Sequence, residues 1–168
     1  MDPILDKARG GQNLLERIAN AIPGFKGYRE KELRRDADRL QREHLATRLE
    51  ESKKVLNRLA DRATRGGGLE PINDIETAKK RLDRVANRIR YADRGYAGFF
   101  DTVKVDERAL QRVYEFDMAL LEAVEAIRTL LASAEGADGA AAVKSAIAEI
   151  DALDARLSER EAILTGIK

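Results

Sequence analysis

Between Tyr28 and Arg65 the chain contains neither glycine nor proline, and no other feature constrains its fold as much. At 1.5 Å per residue such a run makes a helix of roughly 55 Å. Its apolar positions read Leu33, Ala37, Leu40 and His44, then Leu45, Leu49, Ser52, Leu56, Leu59 and Ala63, a helical spacing that slips by one residue at His44-Leu45. A slip rotates the buried face and breaks a strict coiled-coil register, so a bundle helix is expected over about residues 28–64.

Glycine and proline punctuate the remaining sequence. Asp2-Pro3 starts a helix, with Asp as cap and Pro in the first turn, and Pro23-Gly24 ends it. Ile4, Ala8, Gly11, Leu15, Ile18 and Ile22 mark one face of this amphipathic segment, residues 1–23. Gly10-Gly11 weakens its middle by about 1 kcal/mol per glycine, so a bend there, or a helix beginning only at Asn13, is expected. Gly66-Gly67-Gly68 stops the long helix, Pro71 limits the loop, and Asn73 with Glu76 forms a capping box for a helix carrying Ile75, Ala78, Leu82, Val85, Ile89 and Ala92. Gly95 stops that helix, and a connector leads to an Asp106 cap, with Val105 and Leu110 placed as a hydrophobic staple. The next helix runs to about Ala134 on Leu110, Val113, Leu120, Val124, Ile127 and Leu131, with Asp117 falling in the same phase. Gly136 to Gly139 turns the chain into a last helix bearing Val143, Ile147, Ile150, Leu153, Leu157 and Leu164. The expected fold is all-α: one domain over 1–168, an antiparallel four-helix bundle with an extra N-terminal amphipathic helix.

Charge divides the chain as sharply as glycine does. Residues 26–95 hold 20 Lys and Arg against 13 Asp and Glu, whereas residues 96–168 hold 8 against 14. The helical hairpin expected over 28–94 is therefore basic and that over 106–166 acidic, which points to electrostatics between the halves or towards a partner. Six of the eight aromatic residues lie between Tyr91 and Phe116, where the sign changes. Tyr96, Phe99 and Phe100, with Gly95 and Gly98 among them, are expected either to plug one end of the bundle or to anchor a partner.

Composition removes several kinds of chemistry. With no cysteine there are no disulfides, thiolate metal sites or cysteine nucleophiles. His44 is the only histidine, and the residue three before it is Gln41, so the Glu-x-x-His pairs of a helical di-iron site are missing. The serines Ser52, Ser133, Ser145 and Ser158 lack a nucleophile elbow. The Gly66-Gly67-Gly68 run is followed by neither Gly-Lys-Ser/Thr nor preceded by a strand, so it reads as a helix cap, not as a phosphate cradle. Glu115, Asp117, Glu122, Glu125, Asp151, Asp154 and Glu161 form the densest carboxylate group. On charged helices such groups pair with arginine, and Arg84, Arg88 and Arg112 are the candidates. No catalytic residue, cofactor, metal ligand or small-molecule substrate is expected, and the chain reads as a non-enzyme. The N-terminus has no basic leader before an unbroken apolar run, and no stretch approaches the roughly 18 apolar residues of a membrane span, so a cytoplasmic location is expected.

Two kinds of partner remain. Lys53, Lys54, Lys79, Lys80 and Arg81 could meet an anionic surface, although interleaved acidic residues at helical spacing equally make a solvated face, and nothing stacks or reads bases, so nucleic acid is not expected. Leu14, Leu15, Ile18 and Ile22 could enter a membrane interface or lock onto the bundle. In the order of its parts, an amphipathic helix, a basic hairpin and then acidic helices, the chain resembles the bacterial phage-shock and ESCRT-III membrane-remodelling proteins. That resemblance implies a peripheral protein on anionic lipid and transfers no functional residue. The leading expectation is a helical adaptor acting through protein contacts or self-association; membrane binding is the alternative.

Overall fold

The computed structural model describes residues 3–66, 70–91, 107–136 and 139–164. Among them all regular structure is helical: α1 (Pro3–Ala21), a 3-10 turn (Lys31–Leu33), α2 (Arg34–Gly66), α3 (Glu70–Arg90), α4 (Glu107–Ser133) and α5 (Gly139–Leu164). Among the described residues no helix is long and apolar enough to cross a membrane. Tyr96, Phe99, Phe100 and the Gly95 to Asp106 connector lie outside the described residues.

Three local expectations are corrected. First, α1 continues through Gly10-Gly11. The loss of about 1 kcal/mol per glycine is offset by the burial of Ile18 and Ile22 further along the same helix. Second, α2 begins at Arg34, not near Tyr28, because the Tyr28 backbone is engaged elsewhere. Its N–H donates to the Tyr114 hydroxyl at 2.9 Å, and its carbonyl accepts from Arg34 Nε at 2.6 Å. Third, α3 begins at Glu70 with Pro71 in its first turn, so Asn73 lies inside the helix and caps nothing. Pro belongs in a first turn, where its missing N–H would have no intrahelical partner.

The phase slip in the long helix has a different explanation from a turning face. Along α2 the buried positions are Arg34, Asp38, Gln41, Leu45, Leu49, Ser52, Leu56 and Leu59, with Ala37 and Ala46 beside them. This spacing of three and four runs without a break, whereas Leu33, Leu40 and His44 are only half-buried. The pattern looked broken because the first turns bury polar side chains, which a search for apolar periodicity passes over. In α3 and α4 the expected faces are buried: Ile75, Ala78, Leu82, Val85 and Ile89, then Leu110, Val113, Leu120, Val124, Ile127 and Leu131.

Packing groups the chain into two compact units. One comprises residues 1–44, 93–121 and 156–168; the other comprises 45–92 and 122–155. Neither coincides with the basic or acidic hairpin, since each takes segments from both. The second unit has an aliphatic core, including Leu49, Leu56, Leu82, Ile127, Leu131 and Ile150, each at 1% exposure or less. Of the six buried polar or charged residues among those described, five belong to the first unit: Arg34, Asp38, Gln41, Asp117 and Arg160. That concentration directs attention to the first unit.

Candidate functional site

The buried polar cluster of the first unit is assembled from four parts of the chain. The connector after α1 supplies Tyr28, α2 supplies Asp38 and Gln41, α4 supplies Asp117, and α5 supplies Arg160. Asp117, at 0% exposure, is the hub. Its Oδ2 accepts from Tyr28 Oη at 2.5 Å, and its Oδ1 accepts from Arg160 Nε at 2.7 Å and from Gln41 Nε2 at 3.2 Å. Arg160 Nη2 also donates to Asp38 Oδ1 at 3.1 Å and to Tyr28 Oη at 3.3 Å. Asp38 Oδ2 accepts from Arg42 Nε at 2.8 Å, so two carboxylates face two guanidiniums, while buried Arg34 donates to the Tyr28 carbonyl. The Tyr28 ring stacks on Tyr114 at 5.7 Å between centroids and meets the edge of Phe25 at 5.5 Å.

Tyr28 is placed by a tight connector. Gly24 and Gly27 have φ of 83° and 86°, a region that residues with a Cβ seldom occupy. At Gly27 a Cβ would also sit 2.5 Å from Tyr114 Oη and 2.9 Å from Leu15 Cδ1. The connector is anchored beyond Tyr28 as well, where Arg29 makes a two-pronged contact with Glu107 at 2.5 and 3.0 Å.

Electrostatics follow from burial. Desolvation raises the Tyr28 phenol well above its ordinary value, and the neighbouring Asp117 charge pushes it the same way. Burial also pushes the Asp117 carboxyl up, against the pull of Arg160 and of the hydrogen bonds it accepts. Burial opposes the Arg160 charge, but Asp117, Tyr28 and Asp38 together outweigh it and hold the guanidinium above its usual range. Among the described residues no buried side-chain nitrogen or oxygen lacks a hydrogen-bond partner. The arrangement therefore works as a clamp joining four segments, with its charges mutually satisfied.

The raised Tyr28 phenol carries a pH prediction. Because its folded value lies above the unfolded one, its contribution to stability is complete below about pH 10 and is lost as pH rises beyond that. Above pH 10, wild-type stability should fall more steeply than that of Tyr28→Phe, by up to about 1.4 kcal/mol per pH unit for the one extra proton. Urea melts of both chains from pH 9 to 11 check this; parallel curves would refute it.

The residues singled out by sequence are dispersed. Ile18 and Ile22 are buried in the protein, and Leu14 and Leu15 are half-buried. Lys53 pairs with Asp83 at 2.9 Å, Lys79 with Glu76 at 3.5 Å, and Arg81 with Asp151. Lys54 and Lys80 are exposed. Asp154 is held by Arg84 at 2.9 Å and Arg88 at 2.7 Å, two of the three arginines expected. Asp117 has Arg160 instead, and Arg112 is exposed. Among the described residues no group of three or more His, Asp or Glu is placed to hold a metal ion. Much of the charge asymmetry in the second unit is answered within it, as Arg81, Arg84 and Arg88 of α3 meet Asp151 and Asp154 of α5, and Arg58 of α2 meets Glu135.

Tyr28, Asp38, Gln41 and Arg160 were missed as a group. A signal existed for Arg160, which continues the Ile150, Leu153, Leu157 rhythm of α5 in the same way that Asp117 continues that of α4. An arginine and an aspartate each in core phase on different helices are a pair in search of each other. Nothing local marks Tyr28. Among exposed large hydrophobic side chains the described residues show one, Tyr91, at 74% exposure where α3 ends. Comparison with protein-family models, with curated proteins and with solved structures gave no match.

Proposed function

We propose that this chain is a non-enzymatic helical interaction protein, built as an antiparallel four-helix bundle with a packed N-terminal helix, that acts through self-association or as an adaptor. The observation that carries this reading is Tyr91. A tyrosine left 74% exposed at the end of a helix otherwise covered in charge is the kind of side chain that anchors an interface. It also opens the aromatic segment that continues through Tyr96, Phe99 and Phe100. The membrane alternative draws less support, because Ile18 and Ile22 would have to leave the protein interior and three of the five basic candidates already have acidic partners.

Light scattering on the purified chain over a hundredfold concentration range should show association, and Tyr91→Ala should weaken it by about tenfold, as expected for an interface anchor. A wild-type chain that stays monomeric throughout and retains nothing from a native extract removes the reading. Salt-sensitive flotation on anionic vesicles, lost in Lys54→Glu/Lys80→Glu, would favour the membrane alternative instead.

A further inference from the structure

Among the described residues five carboxylates are not exposed, and all five are aspartates. Four are answered by cations: Asp38 by Arg42 and Arg160, Asp83 by Lys53, Asp117 by Arg160, and Asp154 by Arg84 and Arg88. The fifth, Asp74 of α3, is half-buried and has neither an ion pair nor a hydrogen bond among the described residues. The segments that join the neighbouring helix ends, Gly67-Gly68-Leu69 and Ala137-Asp138, contain no cation to supply one. Nor does the helix end account for it. Asp74 is the fifth residue of α3, past the first turn in which a helix N-terminus favours a carboxylate.

Asp74 lines a cavity of about 230 Å³ in the second unit, where the ends of α2 and α4 meet the starts of α3 and α5. The floor is apolar, formed by the buried side chains of Leu59, Ile75, Ala134 and Val143. Arg62, the other charged residue of the lining, is exposed, and its Nη1 donates to the Glu135 carbonyl at 3.0 Å. Its charge therefore stands at the surface, where water and salt screen it. A mostly apolar recess with one placed polar group is the usual form of a small-molecule site, the wall giving affinity and the polar group fixing orientation.

We propose that this cavity binds a small apolar amine, with its ammonium on Asp74 and its hydrocarbon body on Leu59, Ile75 and Val143. An ammonium brings both the donors and the opposite charge that Asp74 lacks, and hydrogen bonds between ionised groups are the stronger kind. Since about 150 Å³ holds a benzene-sized molecule, about 230 Å³ suits a body of about six to nine non-hydrogen atoms. The site is separate from the association anchor, because Tyr91 lies about 25 Å further along the axis of α3.

Isoamylamine is the probe, titrated into the full chain at pH 7 while backbone amide resonances are followed. It should shift those of residues 59–63, 72–75 and 139–143, and the shifts should saturate. Isoamyl alcohol, the same body with a neutral head, should bind at least about tenfold more weakly. Asp74→Asn should weaken the amine by about tenfold and leave the alcohol unchanged, a pattern that general loss of structure does not give. Ala63→Leu, which fills the recess, should abolish both. Amine shifts that never saturate, or that spread over exposed carboxylates elsewhere, overturn the proposal. Equal affinity of the wild-type chain for amine and alcohol overturns it too, and that comparison needs no variant to fold.

Discussion

Arg160→Ala should lower the stability of the chain by about 3–5 kcal/mol, the cost of leaving a buried charge without its partner. Arg160 is 3% exposed, and its removal leaves Asp117, at 0%, facing Asp38 with no cation between them. The remaining donors to Asp117, Tyr28 Oη and Gln41 Nε2, are neutral. Chemical denaturation midpoints at pH 7 measure the loss, and a change under 1 kcal/mol would show that the cluster is not stabilised by this pairing. The double variant Arg160→Met/Asp117→Leu sharpens the test. It removes both charges while keeping volume, so it should cost less than Arg160→Ala alone, because an apolar pair of similar size often matches a buried ion pair in stability. The two single replacements and the double together define a coupling of about 1–3 kcal/mol.

Gly27→Ala should cost about 2–4 kcal/mol, from two sources that can be separated. The backbone at φ 86° disfavours any Cβ by about 1–2 kcal/mol. The steric source is larger in consequence, since the new methyl would lie 2.5 Å from Tyr114 Oη and displace the hydroxyl that accepts the Tyr28 N–H. Gly24→Ala shares the dihedral and lacks the clash, so it should cost the folded monomer only about 1–2 kcal/mol. Tyr114→Phe in the Gly27→Ala background removes the obstructing oxygen and should recover part of the loss. Equal effects at Gly24 and Gly27 would mean that the close approach of Tyr114 to the connector carries no energy.

The helices and their apolar faces were largely legible in the sequence, for a physical reason. The faces of α3 and α4 are continuous rows of Ile, Leu, Val and Ala at spacings of three and four, and burying such rows is the main driving force available to the chain. Helix starts were less legible. Glu70-Pro71 opens α3 three residues before Asn73, and the first residues of the presumed long helix are a connector. A backbone at Tyr28 whose N–H goes to Tyr114 and whose carbonyl goes to Arg34 has no reason to be helical, yet Tyr114 lies 86 residues away, outside any local window.

The polar cluster shows the same limit more clearly. Asp117 was visible as an aspartate in a leucine phase, but its arginine could not be chosen from Arg84, Arg88 and Arg112 because the true partner is on α5, 43 residues away in the chain. Arg34, Asp38 and Gln41 do not belong to the apolar positions that mark the face of α2 in the sequence, and leaving them out produces the phase slip. Burying a charge is unfavourable unless a partner waits for it, and the partner is a fact of tertiary structure.

What the sequence determined by itself was the helical class, the breaks at Pro23-Gly24, Gly66 and Gly136, the apolar rows of α3, α4 and much of α5, and the division into basic and acidic stretches. All of these follow from local preference and periodicity, which each segment carries alone. The tertiary structure decided which charges would neutralise one another, that the buried face of α2 starts with Arg34, Asp38 and Gln41, and that Tyr28 leaves the helix to close a clamp with Asp117 and Arg160. The reason is that a hydrogen bond or ion pair in the interior is worth having only when both partners arrive together, and no segment encodes the arrival of the other.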